Sequence, residues 1–166
     1  MKTGRAEEIV HALDMEKHPE GGWFSEVYTA PFAEQKAAGQ SRAFAGSIYY
    51  LLERAAISRF HEIDCDELWY YHEGAGMRLY VLKADGSSET LLLGCDFSAG
   101  ELPMVKLAAG DIFAAENLPS DGYTLMSCMT TPKFSYAGWR LAGQAELLAK
   151  YPMQQAWIQK FAVESK

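Results

Sequence analysis

The 166-residue sequence predicts a mainly β domain, an antiparallel barrel or jelly roll with short helices at both ends. Three observations carry this. Aromatic residues make up 13% of the chain, which favours strands and flat-walled pockets over a helical bundle. Between about residues 22 and 140, short β-forming runs alternate with turn chemistry. Outside that block the apolar spacing becomes helical, so helices flank the strands.

The elements follow in order. Ile9, Val10 and Leu13 share a stripe, which predicts a helix over about 6–15. His18-Pro19-Glu20-Gly21-Gly22 is turn chemistry and ends it. Residues 23–29 are rich in β-formers, whereas the polar, Ala-rich stretch 31–40 reads as a loop. Strands are expected at 47–52, 58–63 and 67–72, the last closing at the turn 73–76. Residues 77–83 and 89–93, separated by Ala84-Asp85-Gly86-Ser87-Ser88, form a hairpin pattern. Residues 105–107, 112–115 and 123–129 complete the block. Helices are expected over about 144–162, with Pro152 at the first turn of the last one and Met153, Trp157 and Phe161 as its packing stripe.

At this length one domain spanning 1–166 is expected. The net charge of −7, with no basic stripe, argues against a nucleic-acid partner. No apolar run approaches membrane-spanning length, and the start is polar and charged. A cytoplasmic protein is therefore the expectation. Cys65, Cys95 and Cys128 make no CxxC pair and read as small packing residues.

The chemistry concentrates in the middle of the chain. His61 and Ile63 face the same way along one strand, and Glu67 opens the next with Trp69 and Tyr71 on its face. If those strands pair, His61 and Glu67 meet inside the barrel. A histidine beside a carboxylate is suited to proton transfer, with the acid orienting the imidazole. Glu67 has a structural alternative as half of a buried ion pair with Arg59 or Arg78. Phe24, Glu26, Ile63, Trp69, Tyr71, Phe113 and Asn117 are the candidate ligand-binding residues, mostly apolar walls around few polar groups. Glu26 points either into the barrel mouth or outward as an edge-strand charge. His11 should be solvated, His18 should reach a neighbouring subunit from its turn, and His72 should face away from the pocket.

The spacing resembles the cupin superfamily. Its first motif, G-x5-H-x-H-x3/4-E-x6-G, is met by His61, Glu67 and Gly74, with Ile63 in place of the second His and Ala55 in place of the opening Gly. The second motif, G-x5-P-x-G-x2-H-x3-N, is met by Gly110 and Asn117, while Ala108 and Phe113 replace Pro and His. The resemblance implies a double-stranded β-helix. Metal cupins use three His and one Glu. Here only His61 and Glu67 would remain to hold a metal, so no metal cofactor is expected.

A wider set of segments looks like the cupin-5 family: residues 18–26 and 47–52, Phe60-His61, Asp66-Glu67-Leu68-Trp69, Gly122-Tyr123-Thr124-Leu125 and 147–152. The chain departs from that pattern at Lys133, where Gly is expected, and near Arg140, where an acidic residue is usual. The resemblance implies kinship to dTDP-sugar 3,5-epimerases and a homodimer. Those epimerases use a strand His as base, which corresponds to His61. Their phosphate-binding Arg has become Gly21, which argues against a nucleotide sugar. The expected function is therefore small-molecule binding, with metal-independent isomerase or epimerase chemistry on a sugar-like or carbonyl compound. A non-catalytic binding module and a metal-dependent enzyme are the alternatives.

Overall fold

A computed structural model describes residues 4–37, 40–119 and 122–164, the side chains of 33–40 excepted. Two antiparallel sheets face each other. The six-stranded sheet has the order β1 (Glu16–Lys17), β2 (Trp23–Thr29), β5 (Gly46–Glu53), β12 (Tyr123–Thr131), β7 (Asp66–Gly74), β10 (Met104–Leu107). The five-stranded sheet has the order β13 (Trp139–Leu141), β6 (Ile57–Ile63), β11 (Ile112–Asn117), β8 (Met77–Leu82), β9 (Ser88–Leu93). From β5 to β8 each successive strand crosses to the opposite sheet, so the two walls are built from interleaved sequence. This is the mainly β jelly-roll architecture that the strand pattern predicts.

The alternation of side chains along each strand divides the core into layers. Between the sheets lie Ile63, Trp69, Leu79, Val81, Phe113 and Met126, all buried. On the outer face of the five-stranded sheet, Phe60, Tyr80, Leu82 and Ile112 pack against α2 (Gln144–Lys150) and α3 (Gln155–Phe161) through Leu147, Ile158 and Phe161. The rings of Phe60 and Phe161 meet edge to face with centroids 5.9 Å apart. The Tyr151 hydroxyl donates to Lys83 O at 2.7 Å and fastens this helical cap to the end of β8. On the other side, α1 (Arg5–Ala12) buries Ile9 against Leu51 of β5.

Three expectations are corrected. The stretch read as a loop over 31–40 forms part of a two-stranded hairpin, β3 (Ala33–Ala37) and β4 (Gln40–Ala43), with residues 38 and 39 outside the described residues. Its sequence lacks the apolar alternation that makes a strand visible. The first helix stops at Ala12 rather than near 15, because Asp14 adopts a left-handed φ of 49°. Met153 leaves the expected apolar stripe. It lies in a short 3-10 turn, Pro152–Gln154, and is 88% exposed, while Trp157 and Phe161 pack inward.

Candidate active site

One end of the space between the sheets stays open as a cavity of about 250 Å³. Phe24, Ile48, Tyr50, Trp69, Phe134 and Tyr136 make its walls largely apolar, and its polar groups include His18, Glu20, His61, Glu67 and Lys133.

His61 is 3% exposed and sits on β6, between β13 and β11, paired with Phe113 on β11 and Leu141 on β13. Its Nδ1 lies 2.6 Å from Arg59 O. A carbonyl only accepts, so Nδ1 carries a hydrogen, and Nε2 is the nitrogen turned toward Glu20 on the cavity wall. The ring rests against Phe113, centroid to centroid 4.2 Å, which fixes its plane. Across from Nε2 stands Glu20, with Oε2 at 3.4 Å.

Glu20 reaches this position because of the two glycines that follow it. Gly21 has φ 117°, and a Cβ there would lie 2.4 Å from Ile57 O. Gly22 has φ 75°, and a Cβ there would lie 2.6 Å from Leu51 O. Only glycine allows the turn to lie flat against β5 and β6 in that conformation. The Tyr50 hydroxyl secures it by donating to Gly21 O at 2.7 Å.

The same turn carries His18. Its Nδ1 accepts the backbone N–H of Glu20 at 3.2 Å. Its ring meets Phe24 and Tyr50 edge on, at 4.8 and 5.6 Å between centroids. Burial holds the imidazole below the ordinary histidine range. The Glu20 carboxylate pulls it upward, and nearby His61 adds to the lowering. His18 therefore lines the cavity.

Glu67 stands on β7, in the opposite sheet, paired with Leu107 and Thr130. Neither Arg59 nor Arg78 pairs with it, and it has no salt-bridge partner among the described residues. Burial pushes its carboxyl up to about 8, and the negative charge of Glu20 adds to that. The Trp69 indole and the Cys128 thiol pull the other way. The Trp69 N–H makes no full hydrogen bond and is buried without a partner. At neutral pH Glu67 is a protonated acid, able to donate a hydrogen bond. β6 and β7 do not pair, so Glu67 faces His61 from the other sheet, and the carboxylate beside the imidazole is Glu20.

At the rim, Lys133 Nζ reaches Glu26 Oε1 at 2.9 Å and Thr29 Oγ1 at 2.7 Å. The Lys133 stem lies over Gly46, where a Cβ would come 2.7 Å from its Cγ. Arg42 of β4 donates from Nε to Lys133 O at 2.8 Å and from Nη1 to Asp64 at 2.8–2.9 Å, which ties the hairpin to this side of the mouth.

The structure thus brings Phe24, Glu26, His61, Glu67 and Trp69 together around one cavity. It leaves out four residues placed there by sequence. Ile63 and Phe113 pack in the layer beneath the cavity. The Tyr71 hydroxyl turns outward and donates to Gly74 O at 2.8 Å. Asn117 Nδ2 donates to Leu52 O and Arg54 O, so this side chain ties β11 to the end of β5. His72 is exposed and bonds to Ser127. Glu20 and His18 escaped sequence reading because a turn signature hides what its side chains reach. The two adjacent glycines were the available signal.

A cupin-type metal finds no donor at Ile63 or Phe113. Among the described residues, no three His, Cys, Asp or Glu side chains are grouped to hold a metal ion. The donor set does not fit one. Nor is any helix long and apolar enough to cross a membrane.

Comparison with known proteins agrees with the architecture. A hypothetical protein from Leishmania major is 30% identical and superposes with a TM-score of 0.89, covering 97% of this chain and 100% of that one. A protein from Shewanella oneidensis is 34% identical, with a TM-score of 0.87 over 98% of this chain and 100% of its own. Oxalate decarboxylase from Bacillus subtilis shares the fold at 17% identity and a TM-score of 0.57, over 92% of this chain and 38% of that one. No curated protein matches by sequence. The model of the cupin superfamily family DUF985 (Cupin_5) matches residues 7–142, and the chain belongs to that family.

Proposed function

We propose that this protein is a metal-independent isomerase of the epimerase type, acting on a small sugar-like compound with a carbonyl group. The observation that carries the reading is the pairing of unlike groups on facing walls. His61 presents an Nε2 lone pair from the five-stranded sheet, and Glu67 presents a protonated carboxyl from the six-stranded sheet. Unlike acid–base states held apart by environment are the arrangement that proton-transfer catalysis needs.

The reaction runs in two steps. His61 Nε2 takes the proton from the carbon next to the carbonyl. The C–H electrons form a C=C bond and the carbonyl π electrons move to oxygen. Glu67 then delivers its proton to the same carbon from the opposite face, restoring C=O with inverted configuration. The imidazolium formed on the way lies between the Glu20 carboxylate and Arg59 O, both of which stabilise its charge. Solvent at the cavity mouth resets both groups. The resemblance to the dTDP-sugar epimerases supports the reaction class. Gly21, in place of their phosphate-binding Arg, favours a ligand without a nucleotide.

The test is deuterium wash-in. The protein is incubated in D2O with hydroxyacetone, dihydroxyacetone and a panel of keto sugars, and labelling next to the carbonyl is followed by NMR. Labelling above background in the wild type, and none in His61→Asn, is the expected result. A ligand that raises the melting temperature but never acquires deuterium would instead favour a binding protein.

A further inference from the structure

The two cavity histidines are fixed in opposite tautomers, and this assigns them different work. His61 Nδ1 faces a backbone carbonyl, which can only accept. His18 Nδ1 faces the Glu20 backbone N–H, which can only donate. An imidazole nitrogen that accepts a hydrogen bond carries no hydrogen, so His18 places its hydrogen on Nε2. The Glu20 carboxylate is no competitor for His18 Nδ1, since Oε2 lies 3.9 Å away. His18 Nε2 has no protein partner among the described residues, although the ring lines the cavity and its side chain is 10% exposed. An N–H donor without a protein partner, on a largely buried residue that lines a cavity, is suited to a ligand acceptor. Contacts with Phe24 and Tyr50 hold the ring in position, so the donor needs no reorganisation to act.

We propose that His18 is a further catalytic residue, a neutral donor whose Nε2–H binds the carbonyl oxygen of the substrate and holds the negative charge that forms there. This rests on the proton-transfer reading above and narrows its substrate class. The compound must present a carbonyl oxygen to His18 while the adjacent C–H faces His61, as an α-hydroxy ketone or a keto sugar does. No proton leaves His18. The hydrogen bond strengthens as the oxygen gains charge and relaxes when Glu67 protonates the carbon. The depressed basicity of the buried His18 ring agrees with a neutral donor at pH 7.

Two measurements test this. Long-range 1H–15N correlation on the wild-type protein at pH 7 should show His18 protonated on Nε2 alone and His61 protonated on Nδ1. A hydrogen on His18 Nδ1, in either the neutral or the doubly protonated form, overturns the assignment without reference to any substrate. The second measurement is deuterium wash-in to hydroxyacetone. His18→Phe keeps the flat ring but loses the donor, and should lower kcat about 100-fold or more with KM changed only a few-fold. His18→Gln, whose amide N–H reaches the same place, should stay within about tenfold of wild type. It also serves as the control should the Phe variant fold poorly. Exchange in His18→Phe equal to wild type would remove His18 from the chemistry and leave the reading of His61 intact. Absence of exchange in the wild-type protein overturns both.

Discussion

The two faces of strand β6 lead opposite lives. Outward, Phe60 is sealed between the sheet and the C-terminal helices, in a layer where Phe161, Leu147 and Ile158 supply a wholly apolar partner surface. Inward, one residue later, His61 enters a layer that also holds Glu67, which has no salt bridge among the described residues, and a Trp69 N–H without a partner among them. The outer layer gains stability from burial, at about 25 cal/mol per Å² of apolar surface. The inner layer carries desolvated polar groups, each a cost to folding. The difference teaches that strand alternation lets one short segment stabilise the fold with one side and store chemical potential with the other.

The comparison predicts effects of different kind and size. Phe161→Ala should lower unfolding free energy by about 3–5 kcal/mol in denaturant titrations. Exchange activity per folded molecule should stay within about twofold. A comparable loss of activity would show that the layers are not separable.

Glu67→Gln should do the reverse. The buried carboxyl keeps its proton up to about pH 8, whereas in the unfolded chain it ionises near pH 4–5. Between those values the folded state holds a proton that the unfolded state has lost. Stability therefore falls as pH rises through this window and levels off above it. The Gln variant should flatten that slope and exceed wild type at pH 8 by on the order of 3 kcal/mol, while losing epimerisation. A slope that survives the substitution would point to another group.

Glu20→Gln should reduce exchange by about tenfold or more and change the pH profile of kcat/KM, because His61 loses the carboxylate that stabilises its imidazolium. An unchanged profile would leave Glu20 a structural residue. The smallest effect is expected at the rim. Lys133→Met breaks a pair whose Glu26 side chain is 56% exposed, so stability should move by less than about 1 kcal/mol.

Much of the outer layer was legible in the sequence. Residues 57–63 and 77–93 show the alternation and turn residues of paired strands, and Trp157 and Phe161 have helical spacing. The inner layer was legible only where residues lie close along the chain, as His61 and Glu67 do. Even there, sequence made them neighbours, whereas the crossover between sheets makes them facing walls. Motif spacing placed Phe113 and Asn117 at the site, but spacing reports where a backbone passes and not what its side chain meets. Phe113 became the support under His61, and Asn117 found backbone carbonyls. Glu20 approaches His61 from far away in sequence, through a contact that no local pattern encodes.

The turn that carries His18 and Glu20 lies against the barrel without being one of its strands. Its backbone is held by glycines and one tyrosine hydroxyl, and its side chains put His18 on the cavity wall and the Glu20 carboxylate beside His61. Residues 18–22 belong to the segments that carry the family resemblance, so the stretch that marks a member is also the one that sets which side chains surround His61.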